Sequence, residues 1–157
     1  MQSTAARARE HQVVYCGLEV LRLIGERIES SDHVDQEDLL VILAFMRDVA
    51  HRCLENTEEI FRLASMDQRL AVHTRARLLF DQLSRADGLD FAAACRQYTD
   101  ILSQSIPEDR RCLATLDCDP VTLGQFYEWE HETDALARRH GQTLHRLEMK
   151  YTNPHCI

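Results

Sequence analysis

Apolar residues recur along the chain at steps of three and four, the period of an α-helix that buries one face. Val14, Leu18, Leu21 and Gly25 set this rhythm over Thr4 to Glu29, flanked by Val13, Val20 and Ile24. Ser30, Ser31 and Asp32 then bring turn chemistry. Asp35 stands as N-cap of a second helix carrying Leu39, Ile42, Leu43, Met46, Val49, Ala50, Cys53, Leu54 and Phe61, which runs to about Ala64. Ser65 with Gln68 has the spacing of a capping box for a third helix with Leu70, His73, Arg77, Leu78 and Phe80, closed by Asp87-Gly88. A fourth, from about Asp90 to Leu116, places Phe91, Ala94, Tyr98, Ile101, Leu102, Ser105, Asp109 and Cys112 on one face, with Pro107 expected to kink it. Asp119-Pro120 opens a fifth that reaches about Tyr151, with a bend expected near Gly141. Four long helices with short connections predict an all-α, up-down-up-down four-helix bundle with an additional C-terminal helix, packed outside or mediating a dimer.

Composition agrees with one domain over 1–157, its bundle core over about 4–117 and its C-terminal helix over about 120–151. The 157 residues include only five Gly and three Pro, too little turn material for many short strands. Apolar residues make up 45% and charged residues 28%, enough for a buried core inside a solvated surface. The net charge of −8, with Lys and Arg scattered, excludes a nucleic-acid-binding stripe. The longest apolar run, Leu39 to Met46, is too short for a bilayer, and Met1 to Glu10 lacks the apolar segment of a secretory signal. A cytoplasmic protein without membrane partner is the expectation. Cys16, Cys53, Cys95, Cys112, Cys118 and Cys156 have no CxxC or zinc spacing and are expected to be reduced thiols. Nucleophile elbows, phosphate loops and dinucleotide fingerprints are absent from the sequence, so no motif argues for catalysis.

Several stretches resemble the bacterial hemerythrin-like (HHE cation-binding) family: Glu10-His11 near the start of the first helix, Phe45 to Cys53 followed by Glu58-Glu59 on the second, His73 with Arg77 on the third, and Tyr98 to Asp109 on the fourth. The resemblance covers nearly the whole chain and implies a metal site inside the bundle, with roles in oxygen, nitric oxide or iron handling. It implies His11 and His73 as nitrogen ligands, Glu58 as a bridging or terminal carboxylate and Asp109 as a terminal carboxylate. It also implies a His four residues before each acid, one helical turn away on the same face. Those positions hold Leu54 and Ser105. Glu55, His51, Tyr15 and Tyr98 are lesser candidates, the tyrosines as phenolate substitutes for a lost His. A rival register pairs His51 with Glu55, but Ala44, Asp48, His51, Glu55, Glu58 and Arg62 form a polar stripe beside the apolar Leu43, Ala50, Leu54 and Phe61. That periodicity places His51 toward solvent and Leu54 inward.

Three functional expectations follow. The first is a protein that binds iron or another divalent metal in an incomplete, mononuclear or di-iron site. The second is a metal-free degenerate bundle serving as an interaction module, with Phe126, Trp129 and Leu136 of the last helix as a partner or homodimer face. The third, weaker, is a di-iron redox enzyme acting on peroxide. The remaining histidines, His33, His131, His140, His145 and His155, are expected to be solvated, as is the acidic stretch Glu128-Glu130-Glu132.

Overall fold

A computed structural model describes the backbone of residues 4–116 and 120–152, and the side chains of 13–116 and of most positions from 124 to 152. Those residues form helices α1 (Thr4–Glu29), α2 (Gln36–Phe45), α3 (His51–Leu63), α4 (Asp67–Arg85), α5 (Gly88–Thr115) and α6 (Pro120–Thr152), and no strand. A π-helical segment, Met46–Ala50, joins α2 to α3 without a break. Among the described residues, no helix is long and apolar enough to cross a membrane.

The helices form a bundle in which α1 packs on α5 and α6, α5 on α4, α4 on α3, and α3 on α6. Val14, Leu18, Leu21 and Ile24 of α1 meet Ile42, Phe45, Met46, Val49 and Leu54 of the α2–α3 rod, Ala76, Leu79, Phe80 and Leu83 of α4, and Phe91, Cys95, Tyr98 and Leu102 of α5. Burying each large aliphatic side chain contributes about 1.5–3 kcal/mol, which sets these faces inward. The core expected over about 4–117 also takes in Leu144, Leu147 and Tyr151 of α6. The second half of α6 is therefore part of the bundle rather than an appendage outside it. Gly17 permits a close approach of α1 to the rod: a Cβ there would overlap the Phe45 ring.

Local details depart from the sequence expectations at several helix ends. Asp35 has the extended backbone of an N-cap, yet its side chain makes no capping bond and instead binds Lys150 and His33. The Ser65–Gln68 capping box does not form, because Ser65 belongs to the end of α3. With φ 55° it bends the chain so that its N–H donates to Arg62 O (3.2 Å) and Met66 N–H to Phe61 O (2.8 Å). Ser31 (φ 59°) closes α1 with the same pair of bonds, to Ile28 O and Arg27 O. Satisfying the last carbonyls this way usually falls to glycine, and serine fills the role twice here. Helix α5 continues through Pro107 as one element. Pro107 has no N–H, so the Ser103 carbonyl lacks its usual helical donor.

The π segment matters most for the interior. One extra residue in a helical turn rotates everything beyond it by about 100° relative to an uninterrupted α-helix. The face begun by Ile42, Phe45 and Val49 would otherwise continue through Cys53 and Asn56. Ala50, Leu54, Glu58 and Phe61 are buried in their place.

Candidate functional site

Helices α3, α4 and α5 bring Glu58, His73 and Asp109 together. All three are buried, at 7%, 0% and 5% exposure. His73 Nδ1 lies 3.2 Å from Glu58 Oε1, and Nε2 lies 2.7 Å from Asp109 Oδ2. The ring nitrogens face opposite ways, so the carboxylates flank the imidazole on its two edges. Each acid is closed on its far side by an arginine. Arg69 Nε donates to Asp109 Oδ1 (2.9 Å), and Arg77 Nη2 donates to Glu58 (2.7 Å). Arg69 also reaches Ser105 through Nη2, donating to Oγ (2.9 Å) and to the backbone carbonyl (3.3 Å).

The spacing of α4 builds this arrangement. Arg69, His73 and Arg77 succeed one another at four-residue steps, so they rise along one face of the helix. The acids of α3 and α5 fit between them, giving alternating signs from Arg69 through Asp109, His73 and Glu58 to Arg77. Arg69 is the functional residue that the sequence expectations lack. Its four-residue step before His73, matching the step from His73 to Arg77, is the signal that could have found it.

An ionised carboxylate only accepts hydrogen bonds, so a ring between two of them donates from both nitrogens and is an imidazolium. Burial opposes charge on His73, but its bonds to Asp109 and Glu58 and their negative charges outweigh burial and raise its pKa. For Glu58, burial pushes upward, and the bonds from His73 and Arg77 more than offset it, holding the carboxyl below its ordinary range. The linkage signs are opposite. The raised His73 contributes stability that is fully present below about pH 6.5 and is lost as pH rises through its folded-state value. The depressed Glu58 contributes stability that is present above about pH 4.3 and is lost as pH falls.

One turn from Leu54, the π segment places His51 against the same interior. This corrects the expectation of a solvated His51: its Nε2 is 3.0 Å from Tyr98 Oη, and its ring meets Phe80 edge-on, centroids 4.5 Å apart. Burial, with the positive charge of Arg77 next in weight, depresses the His51 pKa to about 4. A neutral His51 accepts from the Tyr98 hydroxyl, and burial of Tyr98 strongly disfavours its phenolate. Neither is set up as a metal ligand in this pairing.

Of the expected metal set, Glu58, His73 and Asp109 are brought together. The His11 side chain lies outside the described residues, as do Phe126 and Trp129. Glu55 is exposed and Tyr15 is 37% exposed; neither bonds to His73, Glu58 or Asp109 among the described residues. Ser105 and Asp109 share a face, as their spacing requires, but both are turned to Arg69.

Whether these residues suit a metal turns on the donor set. A divalent ion needs lone pairs, and both His73 nitrogens point at carboxylates. Two guanidinium cations already occupy the far sides of those carboxylates. A metal on Nε2 beside Asp109 would have to displace the proton there and stand close to Arg69. Among the described residues, no three His, Cys, Asp or Glu side chains have the mutual geometry to hold one ion. Among the cysteines, Cys95 is buried and Cys16, Cys53 and Cys112 are partly buried; Cys118 and Cys156 lie outside the described residues. No family model, no curated protein and no solved structure matches the chain.

Proposed function

We propose that this chain is a hemerythrin-like up-down bundle in which arginine has taken the place of metal, and that it serves as a metal-independent interaction module. The observation that carries this reading is His73 held between two acceptor-only carboxylates, each closed by its own arginine. The positive charge an ion would bring to Glu58 and Asp109 is supplied by Arg69, His73 and Arg77, and Ser105 serves as an oxygen acceptor for Arg69. A bundle of this kind has no open coordination position for oxygen, nitric oxide or peroxide, so its activity lies on its surface. On α6 that surface excludes Leu144, Leu147 and Tyr151, which are buried, and Leu136, which packs against the core rather than standing free as a partner face.

The metal-binding reading rests on a different observation: three of the four residues implied by the resemblance do converge within hydrogen-bond distance. Elemental analysis separates the two. The full chain and a form ending at Thr152, which removes the adventitious His155-Cys156 pair, are loaded anaerobically with Fe(II) and desalted. The scaffold reading expects far less than stoichiometric iron and a melting temperature that neither loading nor chelator moves. Stoichiometric iron, lost in His73→Ala and in His11→Ala, would sink it and restore iron, oxygen or peroxide chemistry as the working view.

A further inference from the structure

The bundle has a second polar joint, and it is built from the three helices that the first does not use. Asp38 of α2 is 5% exposed and receives Lys150 Nζ and Tyr151 Oη of α6, both at 2.6 Å. Lys150 also binds Asp35, and Arg146 stands 3.9 Å from Asp38. Arg27 of α1 donates to the Tyr151 carbonyl (3.2 Å), and the Asp35 N–H points at the Tyr151 hydroxyl (3.3 Å). The Tyr151 ring sits under two cations, Arg27 at 5.4 Å and Lys150 at 5.5 Å from its centroid. One turn earlier, Cys16 of α1 donates its thiol to Glu148 of α6 (2.9 Å). Burial and the Glu148 carboxylate push that thiol up to about 12, which keeps it protonated and unreactive while α6 is seated.

The two joints differ in kind. In the α3–α4–α5 network the exposed cation, Arg77 (36%), is backed at Glu58 by the fully buried His73, which also holds Asp109. In the α1–α2–α6 joint the Lys150 side chain remains 34% exposed, so its charge is open to screening and to chemical modification. Among the described residues, only Lys150 binds the carboxylates of both Asp35 and Asp38. Losing its charge leaves a buried carboxylate with the Tyr151 hydroxyl as its remaining short contact, and a second carboxylate close by.

We infer that the α1–α2–α6 joint is a charge-operated latch, in which neutralising Lys150 frees the last three turns of α6 as a unit and unmasks the Cys16 thiol, while the α3–α4–α5 network holds the rest of the bundle closed. A terminal helix segment that depends in part on exposed polar bonds opens below the global unfolding free energy even when, like 141–152, it also seats Leu144, Leu147 and Tyr151 in the core, whereas the interior around the fully buried His73 opens with the whole fold. The latch does not depend on whether the interior takes a metal, since none of its residues belongs to the Glu58–His73–Asp109 set.

Hydrogen exchange read by mass spectrometry on the full chain tests it, comparing the native protein with Lys150→Gln and Lys150→Arg. Amides over 141–152 are expected to exchange roughly tenfold faster in Lys150→Gln and to return most of the way in Lys150→Arg. Peptides containing His73 and Asp109 stay unchanged. Cys16, followed by peptide mapping after thiol alkylation, labels faster in step with α6, while Cys95 stays protected. Raising NaCl to about 1 M on the native chain, where charge screening is strong, gives the same pattern more weakly without any substitution. Unchanged exchange over 141–152 in Lys150→Gln overturns the latch. So does an increase of equal size around His73 and Asp109, which would mean that α6 opens only with the whole bundle.

Discussion

Asp109→Ala is expected to destabilise the protein by about 3–5 kcal/mol, the range for breaking one side of a buried ion pair. The size follows from what stays behind. The His73 imidazolium loses its shorter hydrogen bond, and Arg69, of which 14% is exposed, keeps only Ser105. Three cations, Arg69, His73 and Arg77, are then left with one acid, Glu58. Glu58→Ala costs less, because its arginine, Arg77, is 36% exposed and can turn to water. Asp109→Asn keeps an acceptor and falls between. Replacing Arg69, Asp109, His73, Glu58 and Arg77 together by apolar residues of similar volume is much less damaging than Asp109→Ala alone, since buried ion networks only approximately balance their desolvation and no charge is then left unpaired. Urea unfolding of the four variants checks the order, with a shift of the midpoint at constant slope taken as the stability change. If Asp109→Ala were within about 0.5 kcal/mol of the native protein, the range of ordinary surface changes, the network would not be formed in solution.

Gly17→Val carries the second large effect, about 3 kcal/mol destabilising. The Phe45 ring that a Cβ would overlap is fully buried and has the His140 ring 5.4 Å from it at a steep angle. It therefore cannot swing into solvent, and either α1 or the rod must move. Gly17→Ala is the more informative control. Removing glycine from a helix interior gains about 1 kcal/mol, against an overlap penalty of about 1–3 kcal/mol, so alanine should be neutral to mildly destabilising. Phe45→Leu shortens the ring contact and should recover a large part of the Val penalty when combined with it, a non-additivity that a double-mutant cycle measures. A stabilising Gly17→Val would show that α1 does not approach α2 this closely.

Much of the fold was legible because helix period and punctuation act locally. The α1 boundaries, the start of α2 after Asp35 and the short turns between helices all follow from residues within a few positions of each other. The departures have two physical sources, a partner distant in the chain at Asp35 and local backbone geometry at Ser65 and His51. Asp35 is the N-cap of α2 by its backbone, as expected, but its carboxylate goes to Lys150, more than a hundred residues away, instead of capping. Ser65 looked like the start of α4, and its positive φ made it the end of α3. The polar stripe that sent His51 to solvent assumed an unbroken α-helix, and no residue pattern announces the π segment at Met46–Ala50 that rotates His51 inward.

The site was half legible. The resemblance to the hemerythrin-like family implies Glu58, His73 and Asp109, and they do meet. What spacing could not reveal was the sign of the charge that compensates them. A carboxylate pair inside a bundle requires positive charge, and an ion or an arginine satisfies that requirement equally well. Arg77 was seen beside His73 as part of a resemblance and Arg69 was not seen at all. Both are what sets this interior apart from a set of waiting ligands.

The protonation of His73 is the most direct test, because an imidazolium between two carboxylates and a metal-ligating imidazole differ in a countable proton. Nitrogen-15 NMR of the imidazole side chains, followed over pH and repeated after adding one equivalent of Zn(II), reads it. The account predicts that both His73 nitrogens are protonated through neutral pH and that Zn(II) leaves them unmoved. In the same spectra His51 remains neutral until the pH approaches about 4. A His73 ring with one bare nitrogen at neutral pH, or one whose resonances shift stoichiometrically with Zn(II), would contradict the arginine-for-metal account at its centre.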